Sequence, residues 1–333
     1  SLKRVLTLQN AVTEKWDLNA EVIWALNPTF GYQSFCIPRL TTKAVVNSTA
    51  AAGSFTVPLF TTDLFYTNKG VPINEDKTWD YSKRFDLQAG DDANQYYIHK
   101  GYTTIKNNFA RESRYYANIG FDGGVWFGNG VTDQHNALYI EAKGPDSKAG
   151  PKDRVRINML AIWPKKLVNY LTVFDDGVQQ SAYHLPRTRL ADLYLLYAEC
   201  LNEANGPNQE AYNYIDLVRQ RAGLKGVQES WSQYSSNPTK PATKAGLRDI
   251  IHRERRIELC FEGKAGWDLR RWKELLTVLS NPIQGWSIYQ KADNNFYTPQ
   301  TLFIPAVTTK DYFFPLSDGA LSNNPNLVQT LYW

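Results

Sequence analysis

The stretch LADLYLLYAECLNEANGPNQEAYNYIDLVRQRAGL (190–224) decides the fold of this chain, because it predicts two helices joined by a short turn. In its first part, apolar residues recur at helical spacing and predict one continuous apolar face, which consists of Leu190, Leu193, Tyr194, Tyr197 and Leu201. The Asn-Gly-Pro run at 205–207 ends this helix. The pattern returns at Ala211, at Tyr214 or Ile215, and at Val218, and Gly223 ends the second helix. Two antiparallel helices on a short turn form a helical hairpin of tetratricopeptide type.

Two more helices are predicted after this pair. The segment KAGLRDIIHRERRIELCFEG (244–263) has an apolar side and ends at Gly263. A further helix covers about 266–279, and a polar loop with two prolines (230–242) precedes both. The tail from 281 to 333 is irregular and apolar. We expect it to pack back on the body, because exposing a large apolar side chain forfeits roughly 1.5–3 kcal/mol.

The first half of the chain has a different character. Residues 1–185 are rich in Gly, Asn, Asp and Thr, and short aromatic or alternating runs such as ALYIEA (137–142) are broken by turn signals such as DGG (122–124). We therefore divide the chain into a loop-rich region with short strands and helices (1–185) and a helical region (186–333). The predicted fold class is mainly α with a minor α+β part, in which helical hairpins pack against the loop-rich region.

Composition excludes several classes of protein. With 333 residues, of which 43% are hydrophobic and 21% charged, the chain matches an ordinary globular protein. The net charge of +4 is spread without a block of five like charges, so we expect no nucleic-acid partner. No apolar run of about 18 residues predicts a membrane span. Three distant cysteines read as buried free thiols and four scattered histidines predict no metal centre or cofactor: Cys36, Cys200, Cys260, His99, His135, His184 and His252.

Catalytic motifs are likewise missing from the sequence. No Gly-x-Ser-x-Gly elbow occurs, and the Gly-rich stretch GFDGGVWFGNG (120–130) lacks the Lys-Ser/Thr of a phosphate-binding loop. Glu258 and Glu262 could be considered a carboxylate pair. However, residues four apart lie about 5–6 Å from each other on one side of a helix, whereas a glycosidase flanks its substrate from opposite sides. We interpret them as ion-pair partners that fasten the helices to the tail.

Three ordered segments resemble the SusD/RagB family. PRTRLADLYLLYAECLNEA (186–204) is similar to the family's Arg-Leu-Ala-Glu-x-Tyr-Leu helix, and ERRIELCFEGKAGWDLRRW (254–272) to its Glu-Arg-Arg-x-Glu-Leu-x-Phe-Glu-Gly signature. FFPLSDGALSNNPNLVQTLYW (313–333) resembles its proline-led ending, and ARESRYYANIGFDGGVW (110–126) is a looser match to a strand before the family's aromatic loops. Asp192 and Ala265 depart from the usual Glu and Arg, and these departures leave the fold prediction intact.

This resemblance implies a function. Members of the family are surface lipoproteins of the Gram-negative outer membrane that capture glycans without catalysis or cofactor. They deliver the ligand to a SusC-like, TonB-dependent transporter. The family's lipidated cysteine and first helical region have no counterpart in this sequence, so we interpret the chain as lacking the family's N-terminal region. Its only link to the membrane would be a lipid on that region.

The aromatic residues, 14% of the chain, supply candidates for ligand contact. Rings that stand among charged or amide residues are less buried than rings in apolar runs, and sugar faces stack on rings while Asn and Asp bind hydroxyl groups. The candidates are Trp79, Tyr81, Tyr96, Tyr97, Trp126, Phe127 and Asn129. For the loop at 120–130, a tight turn between strands is an equally good interpretation. Trp286, Tyr289 and Tyr297 form a weaker cluster.

Two other functions stay open at this point. A glycan hydrolase would require two carboxylates that face each other across an aromatic cleft. A tetratricopeptide scaffold that binds a peptide or protein would require a concave helical groove lined by Asn, Lys and Arg. The resemblance favours the oligosaccharide-binding protein.

Overall fold

The computed structural model describes residues 2–27, 31–41, 53–152, 157–174 and 178–333. The chain is mainly helical, as predicted. Within the described residues the structure contains twelve α-helices, α1 to α12 in chain order: Leu2–Thr13, Gly31–Cys36, Leu59–Thr62, Ser113–Asn118, Leu190–Asn205, Gln209–Arg221, Val227–Tyr234, Lys244–Glu258, Ala265–Arg271, Leu275–Leu279, Asp293–Phe296 and Asp318–Asn323.

The β-structure of the described residues consists of short strands, β1 to β12: Val22–Ala25, Leu87–Ala89, Thr103–Ile105, Ile119–Phe121, Val125–Trp126, Leu138–Tyr139, Ile162–Pro164, Val173–Phe174, Val178–Gln179, Pro186–Arg189, Ile283–Gly285 and Gln300–Phe303. They form six separate two-stranded antiparallel sheets. The pairs are β1 with β10, β2 with β3, β4 with β7, β5 with β6, β8 with β9, and β11 with β12. Each two-stranded sheet is too small to bury a face of its own. These sheets therefore serve to hold the connecting loops in place.

Helices α5 and α6 form the predicted hairpin, and α8 packs on α5. Gly206, at φ 76°, ends α5, and the Asn208 side chain caps α6 by accepting a hydrogen bond from Ala211 N at 3.0 Å. The predicted apolar face of α5 is wrong in part, because Leu193 and Tyr197 are exposed. The buried face consists of Ala191, Leu195 and Ala198 instead. Because the alanine side chains are small, the neighbouring helices can approach closely.

Three helix boundaries differ from the prediction. Helix α7 lies at Val227–Tyr234, where a loop was expected from residue 230, because Trp231 is buried and anchors one apolar side. Helix α8 ends at Glu258, before Gly263, and Phe261 adopts φ 66°. The single helix expected at 266–279 is two helices, α9 and α10, separated where Lys273 adopts φ 61°.

The loop-rich region contains more helix than its composition suggests. Helix α1 packs on α4, and α4 lies within the segment 110–126 that resembles a strand of the family. One hydrophobic cluster includes side chains from both regions, among them Leu8, Tyr115, Trp163, Leu195 and Ile251. The division of the chain at residue 185 therefore stays a prediction from composition.

Buried ion pairs join α8 to both regions of the chain. Glu258 contacts Arg114 at 3.2 Å, Arg189 at 2.9 Å and Arg221. Glu262 contacts Lys166 at 2.6 Å and Arg189 at 2.7 Å. The interpretation of these carboxylates as ion-pair partners is confirmed, but their partners lie on α4, α6 and the segments around β7 and β10 and not in the tail.

The tail packs on the body most closely in its first part. Trp286, Ile288 and Phe296 are buried, whereas the last thirty residues leave several large apolar side chains exposed, so the packing prediction is wrong for those side chains. The last part still contacts α9, since Arg270 Nη2 donates to Asp311 O at 2.9 Å. It also folds on itself: Trp333 Nε1 donates to Lys310 O and Phe313 O, at 3.0 and 3.2 Å. Cys36 and Cys260 are buried as predicted, but Cys200 is exposed because it lies on the outer side of α5.

Candidate functional site

Two adjoining hollows, of about 460 and 230 Å³, form a continuous groove between the loop-rich region and the helices. They share Asn68, Asn94 and Ala110. We call them together the main groove. Its remaining lining consists of Thr78, Trp79, Asp80, Lys83, Gln88, Lys106 and Phe109 in the larger hollow, and of Arg4, Tyr97, Arg111, Glu112, Ser113, Tyr116, Ala222, Gly223 and Leu224 in the smaller one.

Strand pairing brings two segments that contain candidate rings to one groove: residues 74–86 contain Trp79, and residues 91–102 contain Tyr97. Leu87 pairs with Ile105 and Ala89 with Thr103. The segment before β2 and the loop that joins β2 to β3 therefore lie at the two ends of one short hairpin. Tyr97 stacks on Tyr116 of α4 with ring centroids 4.2 Å apart and planes at 7°. Trp79 lies 6.4 Å from Tyr81, which holds the Arg84 guanidinium 4.2 Å from its ring centroid. The rings of the groove are therefore held by neighbouring rings and by a cation.

Several amide groups in the groove have unused hydrogen-bonding capacity. In the described part of the chain, the side chains of Asn68 and Gln88 make no hydrogen bond. Asn94 Nδ2 donates to Asp91 Oδ1 at 2.7 Å, which fixes the side chain and leaves its carbonyl oxygen facing no donor among the described residues. Groups of this type bind hydroxyl groups through both donors and acceptors.

The carboxylates of the groove lining are both engaged. Asp80 accepts hydrogen bonds from Ser82 N and Oγ, and the Ser82 side chain lowers the pKa of this exposed carboxyl. Glu112 is buried, which raises its pKa, and it accepts from Tyr66 N at 2.9 Å and Arg114 Nε at 2.6 Å. Neither one faces the other as a free acid and base pair.

Trp126 and Asn129 were predicted to contact ligand, and the structure places both in the interior. Trp126 is only 2% exposed, since β5 pairs with β6 and the ring packs against Gly120. Asn129, at φ 53°, accepts a hydrogen bond from Phe174 N at 2.5 Å. The 120–130 loop thus begins as a tight turn between β4 and β5, and these two residues are excluded from the candidate site.

Tyr96 and Phe127 lie at a second groove of about 530 Å³ between α1 and residues 132–135. Phe127 lines this groove, and Tyr96 contacts the His135 ring at 5.9 Å. Tyr81 is half-buried beneath Arg84 and does not line the main groove. Of the seven predicted residues, Trp79 and Tyr97 are therefore the two that the structure brings together in the main groove.

The weaker cluster of Trp286, Tyr289 and Tyr297 likewise contains both exposed and buried residues. Tyr289 is exposed beside an apolar hollow of about 340 Å³, whereas Trp286 and Tyr297 are buried. Tyr297 donates to Asp122 Oδ2 at 2.6 Å, and Tyr102 donates to Asp122 Oδ1 at 2.7 Å. Burial raises the pKa of Asp122, and the two phenols compensate the buried carboxyl, which identifies it as a structural group.

No helix in the described part of the chain is both long and apolar enough to cross a bilayer. No three His, Cys, Asp or Glu side chains converge there in a way that could hold a metal ion.

Sequence reasoning missed the polar side of the main groove. Asn68 and Gln88 gave no signal, because single amides in loops are common and their meeting depends on long-range pairing. Arg4 was missed because α1 was not predicted.

Comparison with known proteins gives one family. The sequence model of the SusD family matches residues 20–333. Two SusD-like proteins of Formosa agariphila are similar to this chain: P25, 38% identical over 142 residues, and P2, 33% identical over 154 residues. The solved structure of BT4246 superposes with a TM-score of 0.81 at 26% identity and covers 99% of this chain.

The chain spans part of each relative. The matched segments are 43% and 46% of this chain but only 23% of P25 and 26% of P2, and the superposition covers 53% of BT4246. The helical pairs and the loop-rich region of this chain therefore correspond to about half of that solved protein.

Proposed function

Because this chain belongs to the SusD family, we propose that it captures an oligosaccharide in the main groove and catalyses no reaction on it. The captured ligand passes to a SusC-like, TonB-dependent transporter, the partner that the family resemblance implies. The proposed location is the outer surface of the outer membrane, with attachment through a lipid on the family's N-terminal region. The observation that carries the ligand part is the meeting of Trp79, Tyr97 and three amides in one groove.

The chemistry of the groove supports a sugar ligand. The C–H-rich face of a pyranose stacks on an aromatic ring, and its equatorial hydroxyl groups then point sideways to polar groups. Trp79 lies in the larger hollow and Tyr97 in the smaller one. Asn68 and Asn94 line both hollows, so the amides lie between the two ring positions. Such spacing suits a ligand of more than one sugar unit.

The carboxylates of the chain support binding over hydrolysis. Burial alone would raise the pKa of Glu258, but the charges of Arg221, Arg189 and Arg114 hold it well below its usual value. A general acid needs a raised pKa and access to the substrate. In the groove itself, Glu112 is buried and accepts hydrogen bonds from Tyr66 N and Arg114 Nε, while Asp80 accepts one from Ser82 Oγ.

Affinity electrophoresis of the purified chain in gels that contain single polysaccharides tests the proposal. We expect at least one polysaccharide to retard the protein, and Trp79→Ala and Tyr97→Ala each to weaken binding by about 1–3 kcal/mol, by analogy with base stacking on aromatic rings. Trp267→Ala is the matched control, since this tryptophan is 64% exposed on α9 outside the groove. If a peptide digest is bound and no polysaccharide is, the glycan proposal is wrong.

A further inference from the structure

The lining of the main groove has an excess of positive charge. It contains four cationic side chains, Arg4, Lys83, Lys106 and Arg111, and two carboxylates, Asp80 and Glu112. Nearby carboxylates commonly neutralise exposed cations. A cation without such a partner is therefore the one available to an anionic ligand.

Three of the four cations already have partners. Lys83 lies 3.7 Å from Asp80, and Lys106 lies 3.1 Å from Asp86. The buried guanidinium of Arg111 donates to backbone carbonyl oxygens, including Thr62 O at 2.6 Å and Phe65 O at 2.9 Å. These cations hold the walls of the groove in place.

Arg4 is different, because no carboxylate or other hydrogen-bond acceptor pairs with it in the described part of the chain. Its guanidinium packs on one side against Gly223, where an added Cβ would lie 2.2 Å from Arg4 Nη1. Gly223 adopts φ 78°, a backbone conformation that favours glycine.

The surroundings of Arg4 are those of a binding position. Tyr97, Ser113 and Asn94 line the same hollow, and the hydroxyl of Ser113 makes no hydrogen bond among the described residues. Burial raises the pKa of the Tyr97 phenol, and the nearby positive charge of Arg4 lowers it by a smaller amount. A ring, a hydroxyl, an amide and a planar cation therefore converge on one small hollow.

We infer that Arg4 binds an anionic substituent of the captured glycan, either the carboxylate of a uronic acid or a sulfate ester. This inference rests on the proposed function and narrows its substrate class. A guanidinium offers two parallel N–H donors to the two oxygens of such a group. The sugar that carries the substituent stacks beside Tyr97, and Ser113 and Asn94 bind its hydroxyl groups.

Titration calorimetry with paired oligosaccharides tests this inference. The probes are oligogalacturonate with its methyl ester, and a sulfated galactan oligosaccharide with its desulfated form, so that the members of each pair differ only at the anionic substituent. We expect the charged member of at least one pair to bind about 10- to 100-fold more tightly, the range for a hydrogen bond to a charged group. Which pair responds distinguishes uronate from sulfate.

Two variants locate the effect. Arg4→Gln lowers the affinity for the charged probe by more than the affinity for the neutral one, so the preference for the charged probe is lost. Arg187→Gln is the matched control, because Arg187 is also exposed without an ion-pair partner in the described residues but lies outside the groove, near Gly263. Arg187→Gln therefore leaves the preference intact.

Three results overturn the inference. Equal affinity for charged and neutral members of both pairs overturns it while leaving the proposed glycan binding in place, and so does an equal loss in Arg4→Gln and Arg187→Gln. If none of the four probes binds, the inference is overturned as well, and the polysaccharide screen with Trp79→Ala then decides the proposed function separately.

Discussion

Arg114 is a buried cation whose removal should affect stability strongly. It is 2% exposed and contacts three carboxylates: Glu112 at 2.6 Å, Glu254 at 2.6 Å and Glu258 at 3.2 Å. Glu254 retains Arg219 at 3.1 Å and Glu258 retains Arg189 at 2.9 Å when Arg114 is replaced. Among the described residues, Glu112 then retains the hydrogen bond from Tyr66 N and becomes a buried charge without a cation.

The replacement Arg114→Met should therefore lower the free energy of unfolding by about 3–5 kcal/mol, the usual cost of breaking a buried ion pair on one side. Adding Glu112→Gln to this variant should recover about 1–3 kcal/mol, because the unpaired charge is removed. Urea unfolding followed by tryptophan fluorescence measures both values. Arg248→Met is the control, since its pair with Glu203 is exposed and pairs of this kind contribute about 0–1 kcal/mol.

The pH dependence of Arg114→Met provides a second measurement. Burial already raises the pKa of Glu112, and loss of the guanidinium raises it further. A carboxyl with a raised pKa in the folded state binds more protons there than in the unfolded state, so stability increases as the pH falls. The loss in free energy of unfolding caused by Arg114→Met should therefore become smaller between pH 7 and pH 5. A deficit under about 1 kcal/mol at pH 7, or one that is constant with pH, would refute this account of the ion pairs.

Two further predictions concern buried groups. Burial lowers the pKa of Lys165 to about 7; because the unfolded chain holds this proton up to about pH 10.5, stability should rise by about 2 kcal/mol from pH 7 to pH 9. Lys165→Met should not show this rise in urea unfolding, and equal slopes in both proteins would contradict the prediction. Burial also raises the pKa of Cys36 and of Cys260 to about 12, whereas Cys200 is exposed. A thiol reagent at pH 8 should modify one cysteine in the native protein and all three in urea, and Cys200→Ser should abolish the native reaction.

The helical part of the fold was predictable because its signals are local. Helix α6 follows from Ala211, Ile215 and Val218 at helical spacing and from an Asn-Gly-Pro stop signal before it. The buried face of α5 was not predictable in the same way. That helix has apolar residues on several sides, and only contacts with α6 and α8 decide which of them is covered.

The candidate site was predictable only in its residue types. Trp79 precedes Asp80 and Trp126 lies two residues from both Gly124 and Gly128, yet Trp79 lies in the groove and Trp126 is covered by the pairing of β5 with β6. Contacts between segments distant in sequence have no local signature, and they also bring Gln88 and Arg4 to the groove. The break at Lys273 has no residue signal either, because a lysine at φ 61° is unusual.

The buried ion pairs also divide the main groove into a part in which substitutions would disturb the fold and a part in which they would not. Glu112, on the floor of the groove, is fixed by Arg114, which in turn contacts α8. Trp79, Lys83 and Asn94 are on loop segments that contribute no charge to that cluster. Related chains can therefore exchange these loop segments and acquire a new ligand preference while inheriting the same scaffold, and the segment from 78 to 97 is the natural unit for grafting specificity between them.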